Sequence, residues 1–431
     1  MRLFVRSLNR LFLFWVICAL TPINVFSQVT GAQGLPETKE ITLEELLKAA
    51  ADNNPEIKSS TQAAAASKAL IPAAGALPDP TLKFESMGHL IPPTLMKGDP
   101  SSGRIYGVEQ EIPFPGKRGL KESIASVEAQ SQNWNHELVY LKVISEMKEA
   151  FFELYLIHKS TEILLKNREL LQNFESIAES RYKVGQTTQQ DVLKAQVEES
   201  KVLDKLLAQG QKRRTAEAKI NSLLYRPAET PVGVPAEFKK AELSCSLEEL
   251  SQLAQSNSPA LKVSESEVSR REQEVALAGK EFYPDFAFGF SVVERDENPT
   301  MYGLMMSAKV PLYSWRKQGP ELEAATLNLS SSRNMRDNTS SLVMYQVREA
   351  YTSAATAEKL ANLYKSAIVP QSNLALNSAI ANYQVGRIDF LRLIDAAMSL
   401  LEYQLKYYEA MVEFHKALAR LEPLVGVELV K

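Results

Sequence analysis

Apolar and polar residues along this chain repeat in two different periods, one of about seven and one of two. Near the C-terminus Leu393, Leu400, Tyr407, Phe414 and Leu421 fall seven apart, with Ala396, Tyr403, Ala410 and Ala417 three residues after the first four. That spacing keeps one helical stripe against a partner and predicts a left-handed coiled-coil seam. The segment before it repeats the pattern with Val343, Ala350, Ala357 and Tyr364, and with Val347, Ala354, Ala361 and Ile368 between them. Upstream, Val143, Ala150, Ile157, Leu164, Leu171 and Ala178 do the same, and the many alanines let helices approach closely. No proline interrupts the chain between Pro115 and Pro227. A helix over 117–182 would be about 100 Å long at ~1.5 Å per residue, too long to fold back into a globule, so it must project. Pro370 is expected to kink its own helix, whereas its counterpart Glu169 leaves the first long helix unbroken.

The period-two runs are shorter. Phe286, Phe288, Phe290 and Val292 alternate with Ala287, Gly289, Ser291 and Val293. Tyr302, Leu304, Met306, Ala308 and Val310 alternate with Gly303, Met305, Ser307 and Lys309. In the first half, Leu82 and Phe84 alternate with Lys83 and Glu85, and Tyr106, Val108 and Ile112 with Gly107, Glu109 and Glu111. Period two places one set on each side of a strand, so each half supplies a hairpin with an apolar and a more polar face. A sheet on a soluble core is the ordinary explanation of such runs. Here the strands have the length that crosses an outer membrane when tilted, which makes Phe286, Phe288, Phe290, Tyr302 and Leu304 the expected lipid-facing set. Four strands cannot close a barrel and about eight is the usual minimum, so several copies must pool theirs; three would give twelve.

The two halves are duplicates. Ile41-Thr42-Leu43-Glu44-Glu45-Leu46 with Asn54-Pro55 returns as Cys245-Ser246-Leu247-Glu248-Glu249-Leu250 with Ser258-Pro259. Pro78-Asp79 is echoed by Pro284-Asp285, Pro113-Phe114 by Pro311-Leu312, and Tyr182-Lys183-Val184-Gly185 by Tyr383-Gln384-Val385-Gly386. Repeats over 28–225 and 245–422 follow, joined by a proline-bearing linker over 226–244 and ended by a tail over 423–431. Within them the expected strands lie at about 81–88, 104–112, 285–293 and 302–310, and the long helices at about 117–182, 189–225, 314–383 and 388–422. The fold class is mainly α, with a long coiled-coil barrel and four membrane strands per copy. Val184-Gly185 and Val385-Gly386 are the stops of two helical hairpins, since glycine past a last turn accepts positive φ.

Composition narrows the picture. Arg2, Arg6 and Arg10 precede an apolar run from Leu11 to Leu20, the pattern of a signal peptide over 1–27. Charged residues form 23 % of the chain with a net charge of −3, so no basic field invites nucleic acid. His89, His136, His158 and His415 show no metal-ligand spacing, no phosphate loop or nucleophile elbow is present, and the Met301, Met305, Met306 cluster reads as packing. The expectation is therefore no catalytic, cofactor or metal site.

These features together resemble the TolC-like outer-membrane efflux protein family over nearly the whole chain past residue 27. The duplicated Leu-Glu-Glu-Leu openings, Pro113-Phe114-Pro115-Gly116-Lys117-Arg118-Gly119, Pro311-Leu312-Tyr313 and the paired Tyr-x-Val-Gly tips carry the resemblance. The Pro-Phe-Pro-Gly-Lys-Arg stretch is similar to that of the heavy-metal-efflux (CzcC- or CusC-like) branch. The resemblance implies a homotrimer in outer-membrane lipid with a large periplasmic part. It also implies docking of the tips to a periplasmic adaptor protein, and a passive duct fed by an inner-membrane efflux pump of the RND type, with heavy-metal cations among the candidate substrates. In that family the positions six and nine beyond the second tip glycine are acidic and narrow the closed mouth. Here they are Arg392 and Asp395, which with Asp389 and the first-half equivalent Asp191 form the candidate aperture. A periplasmic coiled-coil adaptor or adhesin would share the heptads but not the four strands.

Overall fold

The structure is a computed structural model that describes residues 40–89, 94–238, 243, 245–296 and 298–429. The signal-peptide segment lies outside the described residues. One element order occurs twice. The first pass is β1 (Glu40–Ile41), α1 (Leu43–Asn53), α2 (Pro55–Gly75), β2 (Thr81–Met87), β3 (Gly103–Ile112), α3 (Lys117–Lys183) and α4 (Gln189–Leu223). The second is β4 (Val234–Pro235), α5 (Leu247–Asn257), α6 (Pro259–Lys280), β5 (Asp285–Glu294), β6 (Met301–Lys309), α7 (Gln318–Leu363), α8 (Val369–Gln384) and α9 (Phe390–Val425).

Local chemistry sets the short helices. Thr42 caps α1 by accepting from the Glu45 N–H, and Ser246 and Glu249 form a reciprocal capping box on α5. Asn54 and Ser258 then stop these helices in extended geometry, and Pro55 and Pro259 open α2 and α6 at the first-turn position where a missing N–H costs nothing.

The four long strands make one antiparallel sheet in the order β2-β3-β5-β6. Its register aligns the two periodicities. Phe84 lies opposite Tyr106, Tyr106 opposite Val292, and Val292 opposite Tyr302. Leu82, Val108, Phe290 and Leu304 form the next row. One face is thus apolar across all four strands and open to its surroundings, with Leu304 91 % and Leu82 81 % exposed. Its polar members are the end row Ser86, Arg104 and Glu294, and Gln110, which turns its amide to the Pro78 carbonyl. The opposite face carries the Lys83–Glu109 ion pair beside Gly107, Gly289, Ser291 and Gly303. β2 and β6 are the two edges, each without a partner on its outer side among the described residues.

Below the sheet the heptad positions are buried as their spacing requires. Val143, Ile157, Leu164, Leu171 and Ala178 of α3 are at most 2 % exposed, and burying each large aliphatic side chain stabilises by about 1.5–3 kcal/mol. α3 packs against α2 on one flank and α6 on the other; α7 packs against α6 and α9. α3 runs unbroken for 67 residues. Its counterpart is divided. A π-helical turn at Tyr364–Ile368 joins α7 to α8 immediately before Pro370, and the Val369 N–H reaches back to the Tyr364 carbonyl. Proline supplies no N–H to the preceding turn, and the widened turn re-pairs the backbone there, so the expected interruption takes the form of a π turn.

The segment between the repeats is strapped to the helices. β4 pairs in parallel with β1, Asn221 donates to the Ala228 and Thr230 carbonyls, and Phe238 enters an aromatic cluster with Phe151, Phe152, Tyr155 and His415. Beside it Lys148, fully buried, bonds both carboxylate oxygens of Glu422 at 2.9 Å. The tail closes over this pair: the Leu429 N–H also bonds Glu422. Gly426 has φ +66°, and a Cβ there would sit 2.7 Å from the Asn257 carbonyl oxygen. Gly426→Ala should therefore cost at least about 1–2 kcal/mol from the left-handed backbone alone, seen as a lower midpoint in the thermal loss of helical circular dichroism in detergent.

Candidate functional site

The helices end away from the sheet in two similar hairpin tips. At the first, the Gly185 N–H bonds the Tyr182 carbonyl at 3.0 Å and the Gln186 N–H bonds that of Arg181 at 2.9 Å. At the second, Gly386 to Tyr383 and Arg387 to Asn382 repeat the same two bonds at 3.0 and 2.9 Å. Gly185 and Gly386 have φ +74° and +72°, so each turn demands the residue it has. The tips are joined to one another. Arg181 donates to the Gln384 carbonyl at 2.9 Å and stacks its guanidinium 4.5 Å from the Tyr383 ring centre. Burial raises the Tyr383 phenol above its ordinary value, against the opposing charge of Arg181. A core of Leu171, Phe174, Val192, Tyr383, Phe390 and Leu393 fills the space behind the tips.

Val184 and Val385 project from the tips, 68 % and 67 % exposed. The two valines thus occupy equivalent exposed positions, with Tyr182, Leu193 and Leu391 exposed near them in the chain. On the return helices, Asp389 is the N-cap of α9 and accepts from the Arg392 N–H at 3.0 Å. Its first-half equivalent Thr188 makes no such bond. Asp191 accepts from the Thr187 hydroxyl. Asp395 is exposed and acts electrostatically on Lys194 across the α4–α9 boundary. Arg392 is exposed, and among the described residues its guanidinium has no ion-pair partner within its own chain. The structure therefore brings Asp389 and Arg392 together through the backbone, and gives Asp191 and Asp395 local partners.

Next to these residues α4 carries a small charge cluster. Glu198, 5 % exposed, lies 2.9 Å from both Lys194 and Lys201. Burial works to raise its carboxyl, but the hydrogen bonds from Lys201 and Lys194 outweigh it and hold the pKa below the ordinary 4.5. The periodicity reading passed over this cluster because Lys-x-x-x-Glu spacing is ordinary on a solvated helix face.

A second site lies where sheet meets helices. Lys117, 2 % exposed, donates to Glu281 at 2.9 Å and to Asp285 at 3.0 Å. The Phe114 N–H bonds Asp285 at 2.8 Å, and the Phe114 ring stacks on Tyr283 at 4.5 Å. Arg118 donates to the Gly75 carbonyl on the other flank. The Pro113–Gly119 stretch thus ties α3 to the end of α2 and to the α6–β5 turn. Among the described residues no group of acidic, histidine or cysteine side chains could hold a metal ion, and no helix is long and apolar enough to cross a membrane.

Residues 250–427 match the family described as Outer membrane efflux protein. The chain is similar to this family over those residues of its second half. It is 22 % identical over 401 residues to the cobalt-zinc-cadmium resistance protein CzcC of Cupriavidus metallidurans, covering 90 % of each chain. Its fold is that of the outer membrane protein VceC of Vibrio cholerae, with TM-score 0.76, 15 % identity and coverage of 90 % of this chain and 96 % of that one. The channel protein CusC is similar at TM-score 0.76 and 14 % identity, over 93 % and 95 % of the two chains. The fold shared with these two structures is mainly helical with a small β part.

The Glu198 cluster gives a pH dependence. A carboxyl with a depressed folded pKa contributes stability that is complete above its unfolded value and is lost as pH falls through the folded one. Backbone amides of α4 should lose hydrogen-exchange protection as pH drops below the ordinary 4.5. Glu198→Gln should weaken protection at neutral pH by about 1 kcal/mol, since both lysines reach solvent, and should flatten the acid response.

Proposed function

We propose that three copies of this chain pool their sheets into a twelve-stranded barrel in the outer membrane, continued by a periplasmic helical tunnel, and that this duct is the passive exit of a tripartite efflux system. The observation that carries the reading is the four-stranded sheet with one largely apolar face and, among the described residues, two unpartnered edges. Lipid tolerates no open edge, because each unpaired backbone group would lack both water and a partner. Phe286, Phe288, Phe290, Tyr302 and Leu304 then meet lipid, and the face with Gly107, Ser291 and the Lys83–Glu109 pair lines the lumen.

At the far end, Val184-Gly185 and Val385-Gly386 of each copy present apolar tips to a periplasmic adaptor, which links the duct to an inner-membrane pump of the RND type. Such an exit needs passage rather than tight binding. The likeness to the cobalt-zinc-cadmium resistance protein CzcC, together with the Pro-Phe-Pro-Gly-Lys-Arg stretch, favours heavy-metal cations as cargo. Asp389, Arg392, Asp395 and Asp191 form the aperture, with Arg392 of each copy pairing to carboxylates of the next, since among the described residues of its own chain it has no ion-pair partner. The chain thus has the repeats, linker and tail of a two-repeat efflux subunit behind a signal peptide over 1–27.

Purified protein in a planar bilayer should conduct ions, and absence of any conductance by assembled protein would overturn the duct. Arg392→Ala should raise conductance at low salt and change it less at high salt, where pairing is already screened. Phe288→Arg should block assembly, since a mid-membrane arginine on a barrel costs about 2–4 kcal/mol, whereas Ser291→Arg should assemble; a gel of heat-modifiable oligomer reports both.

A further inference from the structure

The junction inside one chain has a counterpart that a single chain leaves unmade. Lys117 at the start of α3 reaches forward to Asp285 of the next repeat, and Arg118 reaches back to α2 of its own repeat. In the second repeat a basic pair, Arg316-Lys317, stands just before α7, one residue further on than the spacing from Pro113 to Pro311 would place it. Lys317 lines a cleft of about 240 Å³ with Glu281 and Tyr283, on the side of its own α6, as Arg118 stands to α2. Arg316 is exposed, and among the described residues it has no ion-pair partner. Asp79, which corresponds to Asp285 through the Pro78-Asp79 and Pro284-Asp285 landmarks, is likewise exposed without one.

The apolar counterparts of the junction are exposed, although the Tyr313 ring meets Trp315 edge-on. Phe114 stacks on Tyr283 within the chain. The same repeat spacing carries Tyr283 to Leu77, which is 42 % exposed, and Phe114 to Leu312, beside Tyr313, both 69 % exposed. α3 is flanked by α2 and α6, whereas α7 has α6 on one flank and no α2 on the other.

We infer that Arg316 and Leu312-Tyr313 of one copy clamp Asp79 and Leu77 of the next, repeating between copies the contact that Lys117 and Phe114 make with Asp285 and Tyr283 inside one. The strands agree. Moving the Ile112–Phe286 pair by the repeat spacings sets Val310 of β6 opposite the next copy's Pro80. Met306 then falls opposite the next copy's Phe84 and Ala308 opposite its Leu82, apolar face to apolar face. A register odd by one residue would have set these side chains on opposite sides.

The inference rests on the ring of copies proposed above. Asp79→Arg and Arg316→Asp, made singly, should each lower the oligomer fraction of detergent-extracted protein about fivefold, and the two exchanges together should restore it. Paired Asp79→Cys and Arg316→Cys, with Cys245→Ser, should give oxidised dimers and trimers on a denaturing gel, and neither cysteine alone should. A wild-type chain that stays monomeric would overturn the ring itself. A wild-type trimer that is indifferent to the charge exchanges and forms no cross-link would overturn this clamp and leave the ring standing.

Discussion

Two free edges of one small sheet constrain the whole subunit. β2 and β6 each offer a row of N–H and C=O groups on the outer side, and the face between them is apolar from Leu82 across to Leu304. A soluble protein would cover such a face and blunt such edges. Among the described residues neither is done. Every other feature follows from meeting that demand: the duplication that supplies two hairpins, the junction that fixes their angle to the helices, and the long wall that carries the opening away from the membrane.

The junction converts a flexible strand-to-helix joint into a fixed one. Lys117 is nearly buried, and an ammonium there is tolerable only because Glu281, Asp285 and the Tyr283 carbonyl surround it. Such a group contributes direction more than energy, since desolvating the charges offsets most of their attraction. At the other end, the tips are held by matched backbone turns and by Arg181 bridging from one hairpin to the other. The wall is therefore pinned at both ends, with apolar packing between.

Much of this was legible in the sequence because it depends on local periods. The heptad at Val143 to Ala178, the alternation at Phe286 to Val292, and the proline and glycine landmarks all report conformations that neighbouring residues dictate. The sheet register could be read in parity, because one face is apolar on all four strands. What escaped reading depends on partners far apart. Lys117 and Asp285 are 168 residues apart, and nothing in either neighbourhood announces the other. Lys148 and Glu422 look like solvated heptad charges until the aromatic strap from the linker closes over them. The π turn before Pro370 was expected as a break, but its form depends on how the backbone re-pairs. Asp389 is an instance of a signal present and passed over: an aspartate three residues before the N–H of Arg392, at a helix start, is a cap.

The waist of the subunit has a consequence for the order in which it can be made. Ser145 and Lys148 in α3 find their partners at Ala419 and Glu422, each 274 residues later. The linker strand β4 waits on β1, and the tail past Gly426 seals the buried pair. Contacts of such sequence separation form slowly, because loop closure must precede the contact that rewards it. The helical hairpins are local and can zip early, but the waist cannot close until the last residues have been synthesised. Until then the chain is a pair of half-built arms with a bare sheet between them, and it depends on being kept from aggregating through most of its maturation.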